Sequence, residues 1–367
     1  MPSGYCPALL TSIEAIAGEN APSKKLHVAG FLASLFCCQN SSVSPINDGF
    51  EDWHQRTLTV SYSQRPVVSQ VQDEDDCDIN RIPVISEWDL GAMRRKSHSF
   101  YISDDTMSRY CADAAATVSA GQPATPLMRR HYDEVLASAN VVLKAINTDL
   151  VTLAVTQFGE NAVTGSTAVR TLNIAPTPTV DLNAGILRLL QDIEYNEICG
   201  EPCIVGDGNI VAFQMAQQIA CCNSAGMNFG NLGTPRVFRD KDTQTIWGAN
   251  QFAVIAPGAV KFIGRNLYSG TQAGTRGGST FFTLRLPVNE FGCAPECLDD
   301  LVFDVQMRYF DCPETVTING SATTLPRGWQ FIISKSYSLW VQPTTAYAAT
   351  DPLADTNGFL RYALTNA

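Results

Sequence analysis

Two C-x3-C pairs, Cys199/Cys203 and Cys293/Cys297, come nearest to a chemical site by residue type and spacing. Four thiolates hold a tetrahedral zinc. Knuckle-type zinc sites usually space their cysteines as C-x2-C, however, and no histidine lies near either pair. The chain has 12 cysteines, the others being Cys6, Cys37, Cys38, Cys77, Cys111, Cys221, Cys222 and Cys312. Disulfides form if the protein meets oxidising conditions, with a pairing that sequence does not reveal. The commonest fate of a reduced cysteine is to pack as a small buried hydrophobe.

Acid–base and nucleophilic chemistry find little support. The 4 histidines, His27, His54, His98 and His131, all lie in the N-terminal part, so the C-terminal half lacks the commonest general base. There is no G-x-S-x-G, no H-E-x-x-H and no kinase signature. The turn Gly206-Asp207-Gly208-Asn209 follows an apolar strand and precedes a helical pattern, as a nucleotide-binding turn does. It lacks the G-x-G-x-x-G set and the Lys-Ser/Thr of a P-loop, so Asp207 or Asn209 reads as a helix cap. An acidic cluster, Asp73, Glu74, Asp75, Asp76 and Asp78, lacks the ligand order and glycine of a calcium loop. The expectation is a non-enzyme without cofactor.

The elements that would position these residues follow from composition and pattern. The chain has 367 residues, 45% of them hydrophobic, enough to bury a core. Its net charge of −11 repels phosphate and argues against tight nucleic-acid binding, though not against enclosing nucleic acid. No stretch reaches the about 18–20 apolar residues of a membrane span; the best candidate, 26–38, reads as a buried strand or short helix.

The strongest periodic signal covers 125–159. Thr125 can N-cap a helix and Pro126 suits its first position. Met128, Tyr132, Val135, Leu136, Ala139, Val142, Leu143, Ile146, Leu150 and Leu153 then recur on one face, and Gly159 is a natural stop. At roughly 1.5 Å per residue the span would approach 50 Å, which suits an extended molecule better than a compact enzyme. A shorter helix over 107–118 is expected to start from Asp104 or Asp105.

Before these helices the pattern has period two. Strands are expected at 57–62, 82–88 and 99–102, with the acidic cluster between the first two and a basic run, Arg94-Arg95-Lys96, after the second. A polar hairpin this long cannot bury much against its own domain, so it is expected to lean on another chain. The oppositely charged clusters Asp73, Glu74, Asp75, Asp76, Asp78 and Arg94, Arg95, Lys96 are then candidates for pairing between subunits. After 235 strands dominate: 237–238, 251–255, 260–263, 280–286, 301–310, 315–318 and 329–341, with Asn319-Gly320 as a hairpin turn. The fold class is α+β.

One central stretch adds a family likeness. It reads Pro202-Cys203-Ile204-Val205-Gly206-Asp207-Gly208, then Cys221-Cys222-Asn223-Ser224-Ala225-Gly226-Met227-Asn228-Phe229-Gly230, Val237-Phe238-Arg239-Asp240, and Trp247-Gly248-Ala249-Asn250-Gln251-Phe252 through Ala256-Pro257-Gly258-Ala259-Val260. This resembles the major capsid proteins of tailed bacteriophages with the Hong Kong 97-like fold, nearest to those of phages of Bacteroidetes-like hosts. The resemblance implies an N-terminal arm (1–55), an extended β-hairpin or E-loop (56–103), a peripheral domain with a spine helix (104–182, helix 126–158), an axial domain (183–310), and return strands with a C-terminal tail (311–367). It implies self-assembly into an icosahedral head around double-stranded DNA, as hexamers and pentamers, with portal, scaffold or decoration proteins as partners and no membrane. The protein would reside in the virion after assembly in the host cytoplasm. Another virion or tail subunit, such as a tube or sheath protein, is the alternative, followed by a thiol- or metal-dependent enzyme.

Overall fold

The computed structural model describes residues 13, 16, 25–28, 30–37, 44–45, 57–63, 85–120, 125–159, 170–173, 202–207, 236–268, 273–288, 300–311, 313–318, 320–343 and 357–365. In chain order the elements are α1 (Gly30–Cys37), β1 (Ser44–Pro45), β2 (Thr57–Ser63), β3 (Ile85–Ala92), β4 (Arg94–Ser103), α2 (Asp104–Ala120), α3 (Pro126–Ala154), β5 (Arg170–Asn173), β6 (Cys203–Gly206) and β7 (Arg236–Arg239). They continue as α4 (Lys241–Ile246), β8 (Gln251–Ile255), β9 (Val260–Arg265), β10 (Gly274–Arg276), β11 (Ser279–Pro287), β12 (Asp300–Phe310), β13 (Glu314–Ile318), β14 (Ser321–Leu325), β15 (Gly328–Val341) and β16 (Phe359–Thr365). Helices and strands are mixed along the chain, and they gather into two compact units, each built from separated stretches of sequence.

The first unit comprises Met1–Val28, Arg94–Ile146 and Gly264–Tyr337. Its sheet runs β10-β11-β12-β15-β4 with antiparallel neighbours. Leu301, Phe303, Val305 and Met307 are buried along β12, the alternation a half-covered strand requires. The ribbon β13–β14 pairs Ile318 with Ser321, and Gly320 has φ 82°, in keeping with the Asn-Gly signal.

Helix α3 begins as its sequence dictates. The Thr125 hydroxyl accepts the Met128 amide at 3.3 Å, and Pro126 occupies the first turn, where no amide is needed. The expected apolar face is buried from Met128 to Leu150, with Leu153 half-buried. Burying such side chains is worth on the order of 1.5–3 kcal/mol each. The helix ends earlier than the expected 126–158. The Val155 and Thr156 amides turn back to the Thr152 and Leu153 carbonyls at 3.3 and 3.4 Å, an i to i+3 pattern that tightens the chain and stops α-helix. Gly159 is therefore not a left-handed cap. Its amide donates to the Phe359 carbonyl at 2.9 Å, and a side chain there would collide with Asn357. Helix α2 is likewise capped earlier than expected: the Ser103 hydroxyl, not Asp104 or Asp105, accepts the Thr106 amide at 3.3 Å.

The second unit comprises Ala29–Met93, Asn147–Ile263 and Ser338–Ala367. Its five-stranded sheet has the order β5-β16-β8-β6-β7 and mixes parallel and antiparallel pairs. Strands β6 and β8 are almost wholly buried, which explains their continuous apolar sequences. A separate three-stranded ribbon, β1-β2-β3, belongs to the same unit.

The hairpin expected over 56–103 is corrected in one respect. Strands β2 and β3 do pair, from Thr57 with Ala92 to Ser63 with Ile85. Arg94–Ser103 leaves that ribbon, and Arg94, Arg95 and Lys96 pair with Tyr337, Ser336 and Lys335 of β15. The apolar residues Phe100 and Ile102 give the physical reason, since they need a covered sheet that a polar ribbon does not provide. The helical pattern expected after the turn Gly206-Asp207-Gly208-Asn209 lies outside the described residues.

Candidate functional site

The expected site residues fall in different places. Asp73, Glu74, Asp75, Asp76, Asp78, Cys199, Cys293 and Cys297 lie outside the described residues. Cys203 is disulfide-bonded, as is Cys111, so its sulfur is not the thiolate that zinc binding needs. No group of three or more His, Cys, Asp or Glu side chains capable of holding a metal is found among the described residues. Asp207 is buried and its carboxylate accepts the Asn250 amide at 2.9 Å, stabilising that residue at φ 62° before β8.

The basic run opens β4, the last strand in its sheet order. Arg95 is exposed, but its side chain lies along its own unit. Its guanidinium donates to Ser334 Oγ at 2.7 Å and Tyr268 Oη at 3.1 Å, and lies 5.4 Å from the Tyr268 ring centre. The residue expected to reach another subunit thus helps close a polar cluster in its own unit.

That cluster forms where β12 and β15 part. Asp304 opposite Ser334 is the end of their ladder, so backbone groups beyond it need other partners. The fully buried Asp304 carboxylate accepts the Leu267 and Tyr268 amides at 2.9 and 3.0 Å. Lys335 Nζ donates to the Val302 carbonyl at 2.7 Å and to Asn266 Oδ1 at 2.9 Å. Burial raises the Asp304 pKa against the pull of those amides and of Arg95 and Lys335. Burial lowers the Lys335 pKa to about 8, although Asp304 opposes the shift. A negative group thus completes stranded donors and a positive one completes stranded acceptors. Sequence reasoning missed both, yet Lys335 is the lone charge in β15, and that is a readable signal.

On α3, His131 is fully buried among Phe100, Tyr110 and Phe331, with ring centres 6.4, 5.1 and 5.5 Å away. Neither ring nitrogen has a hydrogen-bond partner, and burial lowers its pKa to about 4. A neutral imidazole walled by aromatic rings cannot exchange protons with a substrate. His98 Nδ1 lies 3.0 Å from Ser138 Oγ, but Ser138 is buried on a helix face. That pair ties helix to strand.

In the second unit the hub is Asp240. One oxygen accepts the Asp242 amide at 2.8 Å and caps α4; the other accepts the Phe31 amide and Asn147 Nδ2, each at 2.8 Å. Beside it Phe31, Phe158 and Phe359 stack while Trp247 meets Phe31 and Phe158 edge to face, with centre distances of 4.4 to 6.0 Å. Trp247 Nε1 donates to the Val151 carbonyl at 2.9 Å. These groups hold backbone and rings in place and leave no polar atom aimed at a ligand.

No protein-family model and no curated protein matches the chain. Among solved structures, the chain is similar to a cyanophage A-1(L) capsid asymmetric unit at 12% identity and TM-score 0.42, covering 84% of this chain and 88% of that one. It is similar to the capsid of cyanophage P-SCSP1u at 8% identity and TM-score 0.40, covering 85% and 84%. A virus-like particle from Pyrococcus furiosus gives 8% identity and TM-score 0.35, covering 98% and 97%.

Proposed function

We propose that this chain is the major capsid protein of a tailed phage, a structural subunit that self-associates into an icosahedral shell around double-stranded DNA. The observation that supports this reading most is the ribbon β1-β2-β3, which pairs with no other strand among the described residues. Its strand β1 is only two residues long, so the ribbon is close to a two-stranded hairpin, which is marginal in water and gains stability by lying on something else. In a shell that support is a neighbouring copy, with hexamers and pentamers as the repeating groups. The 29-residue helix α3, about 43 Å long, suits the spine of a flat subunit. The acidic net charge of −11 suits a wall that encloses DNA without gripping it. Portal and scaffold or decoration proteins would complete the head, which is assembled in the host cytoplasm.

Negative-stain electron microscopy of the purified chain, with sedimentation in parallel, tests the reading. Closed shells are expected. Tubes would favour a tail subunit instead, and a monomer at every protein concentration would overturn the proposal.

A further inference from the structure

Cys203, the first residue of β6, is buried and disulfide-bonded. Its ladder neighbours are Ile255 of β8 and Arg236 of β7, and neither strand contains a cysteine. The bond therefore leaves the sheet by one face. Residues directly opposite each other share a face, so Cys203 lies on the face of Ile255 and, one strand further, of Phe359. Helix α1 packs on β6 and β7, and its Phe31 ring stacks on Phe359 at 6.0 Å, so α1 covers that face.

The helix runs back along β6. Its start is held by Asp240, which follows Arg239, the residue opposite Gly206. Its far end meets β9, where the Phe36 and Phe262 rings cross at 5.2 Å, and β9 follows the Ile255 end of β8, the end beside Cys203. From Gly30 to Cys37 the helix rises about 10 Å, and from Gly206 back to Cys203 the strand spans about 10 Å. By helical spacing Gly30, Ala33, Ser34 and Cys37 fall on one stripe. The stripe faces the sheet, because a Cβ at Gly30 would strike Asp240. Its small residues permit the close approach that a disulfide demands, about 4.4–6.8 Å between Cα atoms. Cys199 is nearer in sequence, but Pro202 pushes the residue before it toward extended backbone, which opposes the helical turn that would fold Cys199 onto Cys203.

We infer that Cys203 is bonded to Cys37, and that this disulfide fastens the end of α1 to β6. It forms by exchange with a small-molecule disulfide such as oxidised glutathione. The Cys37 thiolate attacks one sulfur of that molecule, forming a mixed disulfide and expelling one thiol. The Cys203 thiolate then attacks the Cys37 sulfur and expels the second thiol. The cysteines together lose two electrons and two protons, and the small disulfide gains them. Asp240 thus holds the start of α1 by a hydrogen bond, and the disulfide holds its end covalently. Helix and strand belong to the same unit, so the inference does not depend on the shell reading.

Thiol mapping of the full chain tests it. The folded protein is incubated with oxidised glutathione, unfolded in N-ethylmaleimide and digested without reduction. The expected product is a pair of peptides joined through Cys37 and Cys203, two hydrogens lighter than their sum and separated by reductant. Cys37→Ser, with folding checked by circular dichroism, should free Cys203 for labelling and lower the melting temperature. Cys38→Ser and Cys199→Ser should leave the pair joined. A Cys203 joined to Cys199 or to any cysteine other than Cys37 would overturn the proposal. So would a Cys203 that carries the label in wild-type protein.

Discussion

The carboxylate of Asp240 accepts the backbone amide of Phe31 at 2.8 Å, although 209 residues of chain separate them. The same carboxylate caps α4 and receives the Asn147 amide. One acid thus satisfies the first amide turns of two helices, α1 and α4, groups that otherwise stay unpaired. Gly30 makes the approach possible: its φ is 67°, and any Cβ there would strike Asp240.

Asp240→Ala should therefore cost more than an ordinary cap. Loss of the cap is worth about 1 kcal/mol, and buried amides left unpaired add about 1–3 kcal/mol. A total near 3 kcal/mol is expected, with Asp240→Asn milder because it keeps one acceptor. Urea unfolding of the full chain reads both, and a loss below about 1 kcal/mol for Asp240→Ala would contradict the hub role.

His131 sets an acid limit on stability. Its folded pKa is lowered to about 4 from 6.5, so the unfolded chain binds the proton first. The stability tied to the neutral ring is complete above pH 6.5 and is lost as pH falls from there toward 4, in total about 3 kcal/mol. Replacing the imidazole by leucine removes an unpartnered polar ring and the proton together. His131→Leu should be as stable as wild type at pH 7 and more stable at pH 4.5. Equal slopes of stability against pH in the two proteins would refute the assignment.

Where local chemistry and periodicity agree, the sequence was readable. Thr125-Pro126 and the apolar face from Met128 to Leu150 locate α3, and Asn319-Gly320 locates the β13–β14 turn, because neighbours in sequence determine both. What was not readable depends on residues far apart. Arg94–Ser103 continues the period-two pattern of the ribbon, so only its pairing with β15 reveals that it belongs elsewhere. Helix α4 is six residues with little apolar content, and its cap Asp240 declares itself only through Phe31 and Asn147. Strand β16 pairs with β5 and β8 from the far end of the chain, with no local cue to either partner. The site at Asp304 and Lys335 was legible in part, since Lys335, the lone charge of β15, demands a partner. The identity of that partner was not.

Gly328 tests the register of β15 on β4. It pairs with Ser103, and an added Cβ would lie 2.5 Å from the Ile102 carbonyl oxygen and meet the Tyr101 hydroxyl. That hydroxyl is fixed by the Pro326 and Arg327 carbonyls at 2.7 and 3.0 Å, and the backbone oxygen cannot yield. Gly328→Ala should then destabilise the protein by about 1–3 kcal/mol, although alanine normally favours extended chain over glycine. Thermal unfolding shows whether the melting temperature falls, as expected, or rises.

Arg95 separates folding from assembly. Its guanidinium bonds Ser334 and Tyr268 and favours the charged form of Asp304. Arg95→Glu replaces a cationic neighbour of that buried carboxylate by an acid, and because solvent screens the exposed side chain the first unit should lose about 1–2 kcal/mol. Arg95→Met keeps an unbranched stem and adds no charge, and should cost less than about 1 kcal/mol. Denaturant unfolding at low protein concentration isolates the subunit from any assembly. If Arg95→Glu unfolds at the same denaturant concentration as wild type while failing to form particles, Arg95 acts between chains. If stability falls in the order wild type, Met, Glu, its place is inside the subunit, and only Arg94 and Lys96 of the basic run are left for contact with a neighbour.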